Sequence, residues 1–205
     1  MVFSQPKLNL VLGTGYYNPK IETTDPIPKI GFVGKNLLLN WGMRYQIYPN
    51  VRIGYSQSHS LHFGSIGSSN YRRNISYRSI SFETFYLMKE KIELNFSLAP
   101  MLNKGSVTIS AKAPTIDWDS FLEAYGNSSV SLETGSSMTK RWVGFSSHMG
   151  CRYYFSRLIS IEGQLGYFMS SYSDKNWTLE GEKVNGPPMK IGRLPVLQIN
   201  MVVGI

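Results

Sequence analysis

Apolar and polar residues alternate one for one along most of this 205-residue chain, a period that fits β-strands and excludes helices. In the stretch NWGMRYQIYPNVRIGYSQ (40–57), Trp41, Met43, Tyr45 and Ile47 share one parity, and Asn40, Arg44 and Gln46 share the other. Beyond the turn Tyr48-Pro49-Asn50-Val51, the residues Val51, Ile53 and Tyr55 continue the apolar face, and Arg52, Gly54 and Ser56 the polar one. The same rhythm predicts eight strands, near 7–17, 36–48, 50–60, 74–88, 91–103, 141–155, 158–170 and 194–205.

The connections carry a second pattern. Links at 48–51, 89–91 and 156–157 are tight, whereas those at 18–35, 61–73, 104–139 and 172–192 are long and rich in Ser, Gly, Asn, Lys and Pro. Short and long links in strict alternation put every turn at one end of the structure and every loop at the other. The predicted fold is therefore all-β: an eight-stranded antiparallel up-and-down transmembrane β-barrel with short periplasmic turns and long extracellular loops. Within the third loop, TIDWDSFLEAY (115–125) reads as a short amphipathic helix capped by Asp117 or Asp119.

Composition decides which face meets which medium. Charged residues make up 17% of the chain, against about 25% in an ordinary soluble domain. The polar parity holds Gly, Ser, Asn and Gln rather than the Lys and Glu of a water-washed sheet. Its charged members balance, with Arg44, Arg52 and Arg152 set against Glu83, Glu93 and Glu162, as buried charges require. The apolar parity carries Trp41, Tyr45, Tyr55, Phe82, Tyr86, Phe96, Phe145, Tyr153, Phe155 and Tyr167, too much bulk for the interior of eight strands. These ten rings are expected to face lipid. The interior polar network is expected to comprise Arg44, Arg52, Glu83, Glu93, His148, Arg152 and Glu162.

A formal net charge of +8 raises the question of nucleic acid, but no basic cluster exceeds Arg72-Arg73 or Lys140-Arg141. Basic loops beside anionic lipid headgroups or lipopolysaccharide phosphates account for the sign. The lone Cys151 allows neither an intramolecular disulfide nor a cysteine-based metal site, and it shares the apolar parity with Met149 and Tyr153. At the N-terminus, Val2-Phe3-Ser4-Gln5 has the look of a signal-peptide tail, so residues 1–5 are expected to be a leader remnant and 6–205 a single barrel domain.

Three stretches, LNLVLGTGYYNP, NWGMRYQIYPNVRIGYS and PVLQINMVVGI, resemble the OmpA/OmpX-like eight-stranded outer-membrane barrels. In style they are close to the outer membrane protein beta-barrel domain family of Bacteroidota, which includes PorT-like proteins. The resemblance implies residence in the bacterial outer membrane and structural, adhesive or secretion-accessory roles without enzymatic activity. It also implies a monomer whose contacts are membrane lipid, lipopolysaccharide and proteins reached through the loops. One feature departs from the pattern: such barrels end on an aromatic residue, and this chain ends on Ile205.

Catalytic candidates are few. His59 and His62 fall three apart at the start of the predicted second loop, without a nearby carboxylate. His148 lies beside Ser146, a pairing that suggests a lipid A deacylase-like enzyme, but its parity turns it inward, away from lipid. The Glu and Arg residues lack the cleft that paired-carboxylate hydrolysis needs, and no phosphate loop or nucleotide fingerprint is present. The expectation is a non-enzymatic scaffold with no cofactor, no metal and no wide pore. The alternatives are a lipid-modifying enzyme and a soluble lipocalin-like ligand carrier.

Overall fold

A computed structural model describes residues 6–17, 19–21, 37–66, 69–111, 136–187 and 189–205. Eight long strands build the barrel: β1 (Leu8–Tyr17), β2 (Leu37–Tyr48), β3 (Val51–Ile66), β4 (Ser69–Lys89), β5 (Ile92–Ala111), β6 (Ser136–Tyr154), β7 (Ile159–Ser170) and β8 (Leu194–Gly204). Each pairs antiparallel with its neighbours in sequence. Pairing of β1 with β8, from Asn9↔Gly204 to Tyr17↔Val196, closes the ring. Closure leaves no free strand edge, which a sheet surrounded by hydrocarbon requires.

The turns at one end are short for local reasons. Pro49-Asn50 joins β2 to β3, with Asn50 in the left-handed region at φ 63°. Glu90 and Lys91 join β4 to β5. Between β6 and β7, Ser156 Oγ accepts from the amides of Leu158 and Ile159, so the side chain replaces missing ladder partners.

Alternation sets the faces. Along β2 the burial pattern is strictly exposed-then-buried from Leu37 to Tyr45, with Trp41 44% and Tyr45 48% exposed on the outside. From Leu37 to Ile47 the outward residues cover ten steps, about 33 Å of strand. At the tilt of a small barrel this gives an apolar band about 25 Å tall, the height of a membrane's apolar core.

Two expectations about the loops need correction. The stretch 61–73 is not a polar loop, because β3 runs on to Ile66 and β4 begins at Ser69, paired rung by rung from Leu61↔Asn74 to Ile66↔Ser69. Likewise β5 extends to Ala111 and β6 starts at Ser136, so strand pairing takes up both ends of the stretch 104–139. Cross-strand hydrogen bonding outweighs the weak β-propensity of Gly, Ser and Asn once neighbouring strands are in register. His59 and His62 thus lie on β3 rather than in irregular chain, on opposite faces of it, with His62 buried in the lumen. The proposed helix at 115–125 and the leader remnant at 1–5 lie outside the described residues.

The fourth long connection is structured over its described residues, 171–187 and 189–193. Its strands Trp177–Leu179 and Glu182–Val184 form a hairpin through Glu180-Gly181, both at positive φ (52° and 92°), as a tight hairpin turn demands. This hairpin extends the β6 ladder through Thr139↔Thr178. Farther on, Met189–Lys190 pairs with Lys20–Ile21 from the connection after β1.

Candidate functional site in the barrel lumen

The lumen is stacked in three chemical layers. Nearest the turns sits a charged layer. Arg44 forks onto Glu162, Nη1 to Oε2 at 2.8 Å and Nη2 to Oε1 at 2.9 Å, and also reaches Glu83 at 3.1 Å. Arg52 donates to Glu83 at 2.8 Å and to both oxygens of Glu93 at 2.7 and 2.8 Å, with its guanidinium 3.6 Å from the Phe85 ring centroid. Arg152 donates through Nε and Nη2 to Glu162 and lies 3.5 Å from Glu93. Tyr154 adds a hydroxyl bond of 2.7 Å to Glu93, and Asn95 an amide bond of 3.3 Å to Glu162.

Three cations and three anions sum to zero, and each is buried. Burying ions costs several kcal/mol apiece unless geometry and hydrogen bonding are good. Here the barrel supplies that geometry through register: Arg52 is directly opposite Glu83, Glu93 opposite Arg152, and Arg152 opposite Glu162. Arg44 and Glu162, 118 residues apart, meet across the lumen.

Above this lies a layer of neutral amides and hydroxyls. Ser58 donates to Asn40, Asn40 to Asn200, and Asn200 to Gln164, over distances of 3.1, 3.1 and 3.2 Å. Ser56 and Ser79 share a bond of 2.7 Å. The space left is a cavity of about 40 Å³, bordered by Ser97, Ser146, His148 and Gln164 among others. Such a volume holds one or two water molecules and no substrate. His148 is edge-on to Phe168, ring centroids 5.8 Å apart, and faces this cavity together with Ser146.

The third layer, at the loop end, is mainly apolar, though Arg73 and His62 are buried there too, Arg73 Nη1 donating to the Pro19 carbonyl at 3.1 Å. Tyr17, Leu38, Ile75, Tyr77, Met101, Trp142, Phe168 and Val196 project inward and are buried. Trp177, Met189 and Ile191 from the 171–193 connection come down onto them. The cap is fastened by polar contacts: Tyr17 Oη donates to the Ile191 carbonyl at 2.5 Å, Trp177 Nε1 to Tyr172 Oη at 3.1 Å, and Tyr172 Oη to the Pro187 carbonyl. Lys140 Nζ donates to the carbonyls of Ser173 and Lys175. Burial pushes the Tyr172 phenol up to about 12, the Trp177 hydrogen bond opposing only in part. Gly186 lies flat on the indole, where a Cβ would come within 2.1 Å of Trp177 Cδ1. No other residue fits that position without lifting the cap.

The seven residues expected in a polar network all line the lumen, six of them in the charged layer and His148 beside the small cavity. The ten rings expected outside point outward, Tyr55 and Phe145 being half-buried against neighbouring outward side chains, Tyr55 against Trp41 at 5.8 Å. Cys151 is exposed on the same face. Sequence reasoning missed the apolar layer. Its signal lies in adjacent apolar pairs at the strand ends, such as Tyr16-Tyr17, Leu37-Leu38 and Val196-Leu197, where both parities are apolar. Among the described residues, no cluster of His, Cys, Asp and Glu could hold a metal ion.

No protein-family model matches the chain, and no curated protein does. Solved structures do. Neisserial surface protein A aligns with a TM-score of 0.58 at 9% identity over 97% of each chain. A major outer membrane protein from Thermus thermophilus aligns with a TM-score of 0.58 at 10% identity, covering 96% of this chain and 98% of that one. The outer membrane protein OprG from Pseudomonas aeruginosa aligns with a TM-score of 0.50 at 6% identity over the whole of both. At such identities the likeness speaks for architecture alone: this chain has the fold of the small, closed, eight-stranded barrels of the bacterial outer membrane.

Proposed function

We propose that the protein is an integral outer-membrane barrel that serves as a non-enzymatic scaffold, presenting its loop end for binding or for a secretion-accessory role. The observation that carries this reading is the inside-out distribution of its side chains. Ions and amides fill the lumen, while Trp41, Phe82, Tyr86, Phe96 and Tyr167 stand outside it. A soluble ligand carrier would reverse the two faces and keep an open apolar cavity. The lumen here is blocked twice, by the charged layer and by the apolar cap, which argues against a wide pore. A lipid-modifying enzyme would need its base to meet lipid, and His148 and Ser146 face a cavity too small for an acyl chain.

The test is folding in detergent micelles followed by comparison of unheated and boiled samples on a gel. A heat-dependent mobility shift with β-type circular dichroism is expected. A chain that is monodisperse in buffer without detergent would overturn the reading, and lipid A hydrolysis abolished by His148→Ala would favour the enzyme instead.

A further inference from the structure

The outer wall is not uniform at its loop-end rim. Counting outward residues from the turns, β4 runs Met88, Tyr86, Thr84, Phe82, Ile80 and then Arg78. On β5, Leu94, Phe96, Leu98, Pro100 and Leu102 are followed by Lys104, and on β6 the outward row runs Phe145, Val143 and then Arg141. Each strand thus places a cation on the first outward position past its apolar run. Lys104 stands directly opposite Arg141, and Arg78 is opposite Leu102, one diagonal step from Lys104. All three side chains are exposed.

Like charges directly opposite on a sheet repel, and natural sheets place an opposite charge nearby. None stands here. Every carboxylate on the eight barrel strands, among the described residues, belongs to Glu83, Glu93 and Glu162, which point into the lumen and are consumed by the interior arginines. Among the described residues neither Arg78, Lys104 nor Arg141 has an ion-pair partner. Their position at the edge of the apolar band points to a counterpart in the membrane. Toward the turns the next outward rung is Ile80, Leu102 and Val143, 54%, 68% and 58% exposed, a surface fitted to acyl chains. An amphiphile with its chains along that rung has its headgroup level with the three cations.

We propose that Arg78, Lys104 and Arg141 form a binding site for the phosphate groups of an anionic, multiply acylated glycolipid of the outer leaflet. The inference rests on the outer-membrane reading above. Two arginines and a lysine suit phosphate oxygens, the arginines by bidentate forks and the lysine as a point charge. The spacing over three adjacent strands spans about 10 Å, a fit to a diphosphorylated sugar rather than to one phosphate.

The test uses the full chain folded in detergent, titrated with diphosphorylated lipid A, with lipid A stripped of phosphate, and with inorganic phosphate. Wild-type protein should bind the diphosphorylated lipid in preference to both others, and less tightly in high salt. The variant R78Q/K104Q/R141Q should lose about a hundredfold in affinity, since each cation near an anionic surface contributes about fivefold. It should keep the heat-dependent gel shift, because these three side chains are exposed on the outer face. K89Q/K91Q, altered at the opposite rim, should bind like wild type. Without lipid, K104Q should leave the urea midpoint unchanged or raise it, relieving repulsion; with lipid it should lower it. Binding by the triple variant within twofold of wild type overturns the site while leaving the barrel reading intact, as does equal affinity for the stripped lipid. Competition by inorganic phosphate at equal concentration would make it a free-anion site and also overturns the proposal. Solubility without detergent and no gel shift would overturn both readings.

Discussion

The two ends of the lumen solve the same packing problem with opposite chemistry. Near the turns, Arg44, Arg52 and Arg152 interlock with Glu83, Glu93 and Glu162. Near the loops, Tyr17, Tyr77, Trp142, Phe168 and Trp177 stack as an apolar plug. The difference lies in where each end gets its parts. Charged-layer residues all come from paired strands, so register fixes their geometry, as ions in a low-dielectric site require. The plug takes Trp177, Met189 and Ile191 from a connecting segment, and apolar contacts tolerate that looser delivery because they are non-directional. One end is held by directional pairing, the other by contacts that tolerate displacement.

That contrast can be broken at either end. The largest effect is expected from Glu162→Gln, which leaves Arg44 and Arg152 without their shared carboxylate. Breaking a buried pair costs about 3–5 kcal/mol, read as a fall in the urea midpoint of barrel folded in detergent. Replacing the pair together, as R44M/E162L, should recover most of that loss, because it leaves two arginines against two glutamates and a well-packed apolar substitute for a buried ion pair is close to neutral. A double variant as unstable as Glu162→Gln would show that the ions themselves hold the barrel shut.

At the loop end, Trp177→Ala removes the largest buried side chain of the cap. It should cost about 3 kcal/mol of local closure, seen as faster proteolysis within 171–193, while the barrel's urea midpoint barely moves. Equal damage at both readouts would mean that cap and barrel are one cooperative unit. A smaller effect, about 1 kcal/mol, is expected of Tyr172→Phe, which gives up bonds to Trp177 and the Pro187 carbonyl.

The cap should also loosen in alkali. Tyr172 holds its proton more tightly when folded, its value being raised from 10.0 to about 12. The contribution is complete below pH 10 and disappears as pH climbs from 10 to about 12. Proteolysis of the cap followed alongside tyrosinate absorbance checks this, and Tyr172→Phe should remove that part of the pH dependence.

Much of this was legible in the sequence, and the limits have physical causes. Alternation alone assigns faces, because a strand has no choice of parity once one face must be apolar. Contacts within a hairpin follow by counting from its turn: Arg152 and Glu162 lie equally far from residue 157 and are directly paired. Contacts across the lumen, such as Arg44 with Glu162, depend on closure and shear, which no local pattern encodes. The extended β3–β4 hairpin was hidden for the opposite reason. Gly64-Ser65-Ile66 has loop composition, and only the ladders on both sides of it make it strand. The plug was overlooked because inward apolar residues look like noise in an alternating pattern until the strand ends gather at one mouth.

The central claim is that the greasy face of this barrel is its outside. Single-tryptophan variants in bilayers with brominated acyl chains test it directly, one keeping only Trp41 and another only Trp177, the remaining tryptophans changed to Phe. Trp41 fluorescence should be strongly quenched and Trp177 fluorescence nearly untouched. Strong quenching of Trp177 with Trp41 spared would contradict the account.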